Sequence, residues 1–160
     1  MELSGEVLAG SFFHGIPGPQ FISHSAFHTL QQRLPEDVVY WINASDPASL
    51  CGVSLDAFKG HLPKRLAGTH LAYCGPDLML ISQRNGKNLT INTTVDDPRL
   101  PECLDILRHL QTRNFQPIRR ISIETINGEP AAQSRFVEAF KDLFEVLVEY
   151  KSVTLYRKTG

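Results

Sequence analysis

The sequence lacks most of the features that place a chain quickly. No apolar run approaches the ~18 residues of a membrane-spanning helix, so no membrane role is expected. Cysteine is scarce. Cys51, Cys74 and Cys103 are widely spaced and odd in number, without a Cys-x-x-Cys pair or a Cys/His run. That argues against a disulfide framework and a structural zinc site, and it suits a reducing, cytoplasmic setting. Neither sign of charge dominates. Sixteen Lys and Arg against 17 Asp and Glu leave a net charge of −1, so only a local basic patch can attract nucleic acid. The opening Met1 to Glu6 is acidic, unlike a signal peptide.

Nucleotide-binding loops are missing too. There is no Gly-x-x-x-x-Gly-Lys-Ser/Thr, and no Gly-x-Gly-x-x-Gly follows a strand. The glycines between Gly10 and Gly18 have the wrong spacing for a phosphate cradle, and the prolines among them remove N–H donors. A tight structural turn is expected there. His24 and His28 form an i, i+4 pair, but Ser25 stands where a His-Glu-x-x-His site has Glu. Surface histidines explain them better than a metal.

What is present suits a packed domain. With 160 residues, 42% hydrophobic and 21% charged, roughly two-thirds of the unfolded surface can be buried. One compact domain over 1–160 is expected, with a possible division into a β-rich part (1–96) and an α/β part (97–160). Residues 5–13 suggest a strand, 14–19 a sharp loop and 20–22 a short extended piece. Ser23 or Ser25 offers an N-cap for a helix to about Arg33, with Phe27, Leu30 and Leu34 on one face. Val38 to Ile42 reads as a strand stopped at Asp46-Pro47. Residues 50–66 are irregular, with one helical turn near Leu55 to Phe58.

Three strands follow: Thr69 to Cys74, Leu78 to Ser82 and Asn88 to Val95. Gly75-Pro76-Asp77 joins the first two. The Asn85-Gly86 pair, favouring a type I′ turn, joins the second and third. Leu100, Cys103, Leu104, Leu107 and Leu110 keep helical spacing, with Pro101 in the first turn. Ile118 to Ile126 reads as one strand, Asn127 to Pro130 as a turn, and Ser134 as the cap of a helix through Phe144. Ser152 to Tyr156 is the last strand. The fold class is α+β: a central antiparallel β-meander or small partly closed barrel, flanking helices and a C-terminal strand-helix-strand portion.

Few side chains point to chemistry. Asp46 lies at a strand end, where catalytic acids often sit, yet Asp before Pro is also a common turn former. Glu124 and Glu129 flank the Asn127-Gly128 turn as a possible acid–base pair or as exposed hairpin carboxylates. Basic residues gather as Lys64-Arg65, Arg84 with Lys87, Arg113 with Arg119-Arg120, and Arg157-Lys158. Such groups touch phosphates when they share a face, and His70, Tyr73 and Phe115 are aromatics able to stack on bases. A mixed-sign solvated surface is the competing explanation.

Several stretches, in order, resemble the C-terminal region of large helicase-related (Lhr-type) DEAD/DEAH-box helicases. Gly10-Ser-Phe-Phe-His-Gly15-Ile-Pro-Gly18-Pro-Gln20-Phe21 is similar to that family's Gly-Arg-Phe-x-x-Gly-x-x-Gly-x-Gln-Phe. Ala44 to Gly52 is similar to its Ala-x-Asp-Pro-Leu-Asn-Leu-x-Gly. Leu62-Pro63 with Gly68, Leu71, Tyr73 and Gly75 fits the next piece, and Ile123 to Ala131 looks like the closing segment. Ser11, Pro19, Ala48-Ser49 and Thr69-His70 depart from the family's usual residues.

The resemblance implies a terminal module of a longer chain. The ATP- and Mg-dependent motor would lie in two preceding RecA-like domains followed by winged helices. It also implies action on DNA in repair and, for some members, uracil excision by an acid near the C-terminus. Val153 to Gly160 contains no acid. The expected role is a DNA helicase's accessory domain without ATPase motifs or a cofactor of its own. Arg84, Lys87, Arg119 and Arg120 would meet DNA, and a homo-oligomer is a possible state. The rivals are a glycosylase-like module using Asp46 or Glu124, and a plain interaction module.

Overall fold

The computed structural model describes residues 5–13, 15–32, 35–58 and 60–158. The chain is α+β, with three sheets and three helices among these residues. Strands β1 (Val7–Gly10) and β2 (Gln20–Ser23) pair antiparallel. The Gly/Pro-rich loop between them is held from inside by one side chain. Gln20 Oε1 accepts the N–H groups of Phe12 (2.6 Å) and Phe13 (2.7 Å), while its Nε2 donates to the Ile16 carbonyl at 2.8 Å. Prolines leave that loop short of backbone donors, so a side-chain amide organises it. Ser23 caps α1 (His24–Gln31), accepting the Ala26 N–H at 3.2 Å. Arg33 and Leu34, expected at the end of this helix, lie outside the described residues.

The large sheet runs β3-β4-β5-β6-β8-β9. Its first four strands, β3 (Val39–Asn43), β4 (His70–Cys74), β5 (Asp77–Gln83) and β6 (Asn88–Ile91), form the antiparallel meander expected from the turn residues. The sheet is open rather than closed into a barrel, with β3 at one edge and the short β9 (Glu129–Pro130) at the other. Strand β8 (Thr125–Ile126) joins it parallel to β6. The large sheet therefore takes strands from both sides of residue 96.

Helix α2 (Leu100–Thr112) packs against β3, β4 and β5 of the large sheet and β7 (Arg120–Ile123) of a second one. The predicted stripe, Leu100, Cys103, Leu104, Leu107 and Leu110, is buried, and Ile106 and Gln111 are buried beside it. Each fully buried leucine contributes roughly 1.5–3 kcal/mol. The small sheet is ordered β10-β11-β7 and entirely antiparallel, with β10 (Phe144–Val148) and β11 (Val153–Arg157). One main core joins α2, both sheets and the short α3 (Val137–Lys141) through Leu104, Leu107, Ile121, Ile123, Phe136, Phe140 and Phe144. On the opposite face of the large sheet a smaller cluster, Ala44, Cys51 and Leu71, lies under the 44–68 loop.

The Ile118 to Ile126 strand is split between sheets. β7 belongs to the small one and β8 to the large one, and Glu124 is the single residue between them. The backbone turns there because the N–H groups of Glu124 and Thr125 both reach the Lys87 carbonyl, at 2.7 and 3.3 Å. The last helix also stops at Lys141. Phe144, expected on its face, begins β10, where its buried ring still joins the same core.

All three cysteines are buried and free. No helix is long and apolar enough to cross a membrane among the described residues. His24 and His28 take separate partners, the Gly5 carbonyl at 3.1 Å and the Gln32 side chain at 3.2 Å.

Candidate nucleic-acid interface

Two of the four predicted cations meet at the β5–β6 turn. Arg84 (φ 53°), Asn85 (φ 57°) and Gly86 (φ 92°) all adopt the left-handed region. The Gly86 N–H closes the turn on the Gln83 carbonyl at 3.1 Å. The central pair is therefore Arg84-Asn85, one residue earlier than the Asn-Gly pair predicts. Gly86 is needed for a different reason: a Cβ there would lie 2.5 Å from Ile121 Cγ2, so only glycine lets the turn rest on β7.

That placement brings both cations to Glu124. Arg84 Nη1 lies 3.1 Å from Oε2 and Lys87 Nζ lies 3.0 Å from Oε1. The Lys87 hydrogen bond, with the charge of Arg84, holds the Glu124 carboxyl below the usual carboxylate range. Glu124 is thus an ionised counter-ion at neutral pH, and it cancels part of the positive field of the turn. Asn88 extends the network, donating to Thr125 Oγ1 at 2.8 Å.

The other two cations are not drawn into this cluster. Arg120 opens β7, opposite Tyr156 of β11. Both Arg119 and Arg120 are exposed, and neither forms an ion pair among the described residues. Asp46 is placed elsewhere, in the turn after β3. Its Oδ1 accepts the Ala48 N–H at 2.8 Å, and its carbonyl accepts Arg65 Nη2 at 2.9 Å. These are the bonds of a turn former.

An aromatic–imidazole cluster that pattern reasoning did not assemble sits at the β3 edge. Trp41 is opposite Ala72 of β4, so its ring turns to the α2 side of the sheet. There it lies 4.6 Å from the His109 ring of α2 and 6.4 Å from the His70 ring of β4. His70 Nε2 is 2.9 Å from Asn43 Nδ2, whereas its buried Nδ1 has no hydrogen-bond partner among the described residues. Burial, reinforced by Arg113 and then His109, lowers the His70 pKa to about 4. His70 is therefore neutral near pH 7. Trp41 keeps 38% of its surface exposed. On the opposite side of β3 and β4, Tyr40 and Tyr73 stack 5.4 Å apart. The signal for Trp41 was its status as the one tryptophan in the chain; its partners lie 29 and 68 residues away, beyond what local pattern reaches.

No protein-family profile matches the chain. Over 144 residues, 84% of the chain, it is 25% identical to a protein described as Lhr helicase/uracil glycosylase from Escherichia coli (strain K12). The chain spans about 9% of that protein's length.

Proposed function

We propose that the chain is an accessory domain of an Lhr-type ATP-dependent helicase, which helps its parent hold DNA or assemble. The observation that carries this reading is the 25% identity across 84% of the chain to a short stretch of a helicase. ATP and Mg would belong to the parent's motor, and winged-helix domains and a second copy are the protein partners the reading implies. A cytoplasmic location goes with it. Arg84, Lys87, Arg119 and Arg120 are the proposed phosphate contacts. With a net charge of −1, their contribution is modest and strongly salt-dependent.

The relative's description also names a uracil glycosylase. On this chain the two candidate acids are engaged otherwise: Glu124 in two ion pairs and Asp46 in its own turn. The geometry therefore favours the accessory reading.

Fluorescence anisotropy of a labelled single strand, between about 50 and about 200 mM salt, tests direct contact by the 160-residue chain. Binding that weakens steeply with salt is expected. Binding that is absent, or indifferent to salt, refutes direct DNA contact.

A further inference from the structure

One side of α2 borders a trough that the predicted cations do not touch. Pro101, Asp105, Arg108 and Thr112 repeat at helical spacing along it, over about 16 Å of helix. Two cavities of about 410 and 360 Å³ make up the trough, and they share Arg108 and Leu143. The first is lined by Val39 and Trp41 of β3 together with Glu102 and Asp105. The second is lined by Gln111, Asp142, Arg157 and Lys158.

The two ends differ in chemistry. At the first, the Trp41 ring is flanked by the carboxylates of Glu102 and Asp105, which repel a phosphate and accept from a base amine. At the second, two further cations join Arg108. Arg108 itself is held by Asp105 at 2.5 Å. Lys158 is steered by the carbonyls of Lys141 and Asp142, at 3.3 and 3.2 Å. Arg157 has no ion-pair partner among the described residues. Asp142 offsets one of the three cations at the second end, which still keeps a positive excess; an aromatic ring with acceptors at one end and that excess at the other is the complement of a nucleotide, with its base and its phosphate.

We infer that this trough seats one segment of single-stranded nucleic acid, with a base on Trp41 and the neighbouring phosphate at Arg108, Arg157 and Lys158. The inference rests on the proposed nucleic-acid role and names a site for it apart from Arg84, Lys87, Arg119 and Arg120. A strand fits better than a duplex, because a paired base has no free face for Trp41.

The single tryptophan makes the test direct. The 160-residue chain is titrated with unlabelled oligodeoxycytidylate while Trp41 emission is followed, and anisotropy of a labelled copy reports binding by any route. Saturable quenching of Trp41 in step with the anisotropy is expected. Arg157→Glu, an exposed change that leaves the core intact, should weaken binding about tenfold, and Trp41→Ala by a similar factor. Binding by anisotropy with unchanged emission, and unchanged affinity in Arg157→Glu, overturns the trough while the nucleic-acid reading stands. No binding by either readout overturns both. Arg157→Glu keeps the test decisive should Trp41→Ala fail to fold.

Discussion

Lys87 and Glu124 are bonded twice: the Lys87 carbonyl accepts the Glu124 N–H at 2.7 Å, and the Lys87 ammonium lies 3.0 Å from Glu124 Oε1. The backbone bond fixes where the chain leaves the small sheet for the large one. The side-chain bond neutralises a cation at the same point. These roles separate in Glu124→Gln, which keeps the backbone bond and removes the charge. The melting temperature should move by no more than a few degrees, because exposed ion pairs add little. Single-strand affinity at low salt should rise, since Arg84 and Lys87 lose their counter-ion. Calorimetry and anisotropy on the same preparation check both halves; a large loss of stability would show that the carboxylate itself holds the joint.

Gly86 and Gly128 test why the β5–β6 turn has its shape. Both have positive φ, 92° and 83°, but a Cβ at Gly86 meets Ile121 Cγ2 at 2.5 Å whereas one at Gly128 meets open space. Gly128→Ala should cost about 1 kcal/mol, from the left-handed backbone alone. Gly86→Ala should cost about 3 kcal/mol, because overpacking adds to that strain. Equal shifts in urea denaturation would mean that the contact with β7 does not constrain the turn.

Much of this fold was legible locally. The meander followed from Gly75-Pro76 and, one residue out of place, from Asn85-Gly86, and α2 followed from its leucine spacing, because both signals act over a few residues. The misreadings share one physical cause. Ile118 to Ile126 is uniformly strand-like, and what divides it is the Lys87 carbonyl, more than thirty residues away. Phe144 fits both a helical face and the start of the Phe144-Val146-Val148 alternation; pairing with β11 decides between them. The site was less legible than the fold. The basic groups were visible as composition, but that Glu124 neutralises two of them, and that Trp41 reaches α2, are facts of tertiary packing.

His70 makes stability pH-dependent in a defined window. Its folded pKa is about 4, against about 6.5 in an unfolded chain. Between these values the unfolded state binds the extra proton, so stability falls as pH drops from about 6.5 towards 4. The loss should reach at most about 3 kcal/mol. About a unit above pH 6.5 the slope from this residue has faded. Asp97 and Glu124, whose carboxyls are held low by Arg99 and Lys87, add further losses below about pH 5. Urea denaturation at pH 7 and pH 5 should show a clear difference in the natural chain and a smaller one in His70→Asn. A difference of the same size in both would assign the slope to other groups.

The four proposed phosphate contacts should not be equivalent. Arg84 and Lys87 share the Glu124 carboxylate, whereas Arg119 and Arg120 have no ion pair among the described residues. A phosphate reaching the β5–β6 turn must compete with Glu124; one reaching the start of β7 does not. For a single strand, each phosphate contact contributes about −0.7 to the slope of log affinity against log salt. Removing Arg119 and Arg120 together should therefore flatten that slope by about 1.4. Removing Arg84 and Lys87 together should flatten it by less, as their release from Glu124 offsets part of the gain. Adding Glu124→Gln to the Arg119/Arg120 double variant should restore part of the lost affinity through the freed turn. Identical slopes for the two double variants would show that Glu124 does not screen its partners, and unchanged slopes in both would move the phosphate contacts away from these four residues.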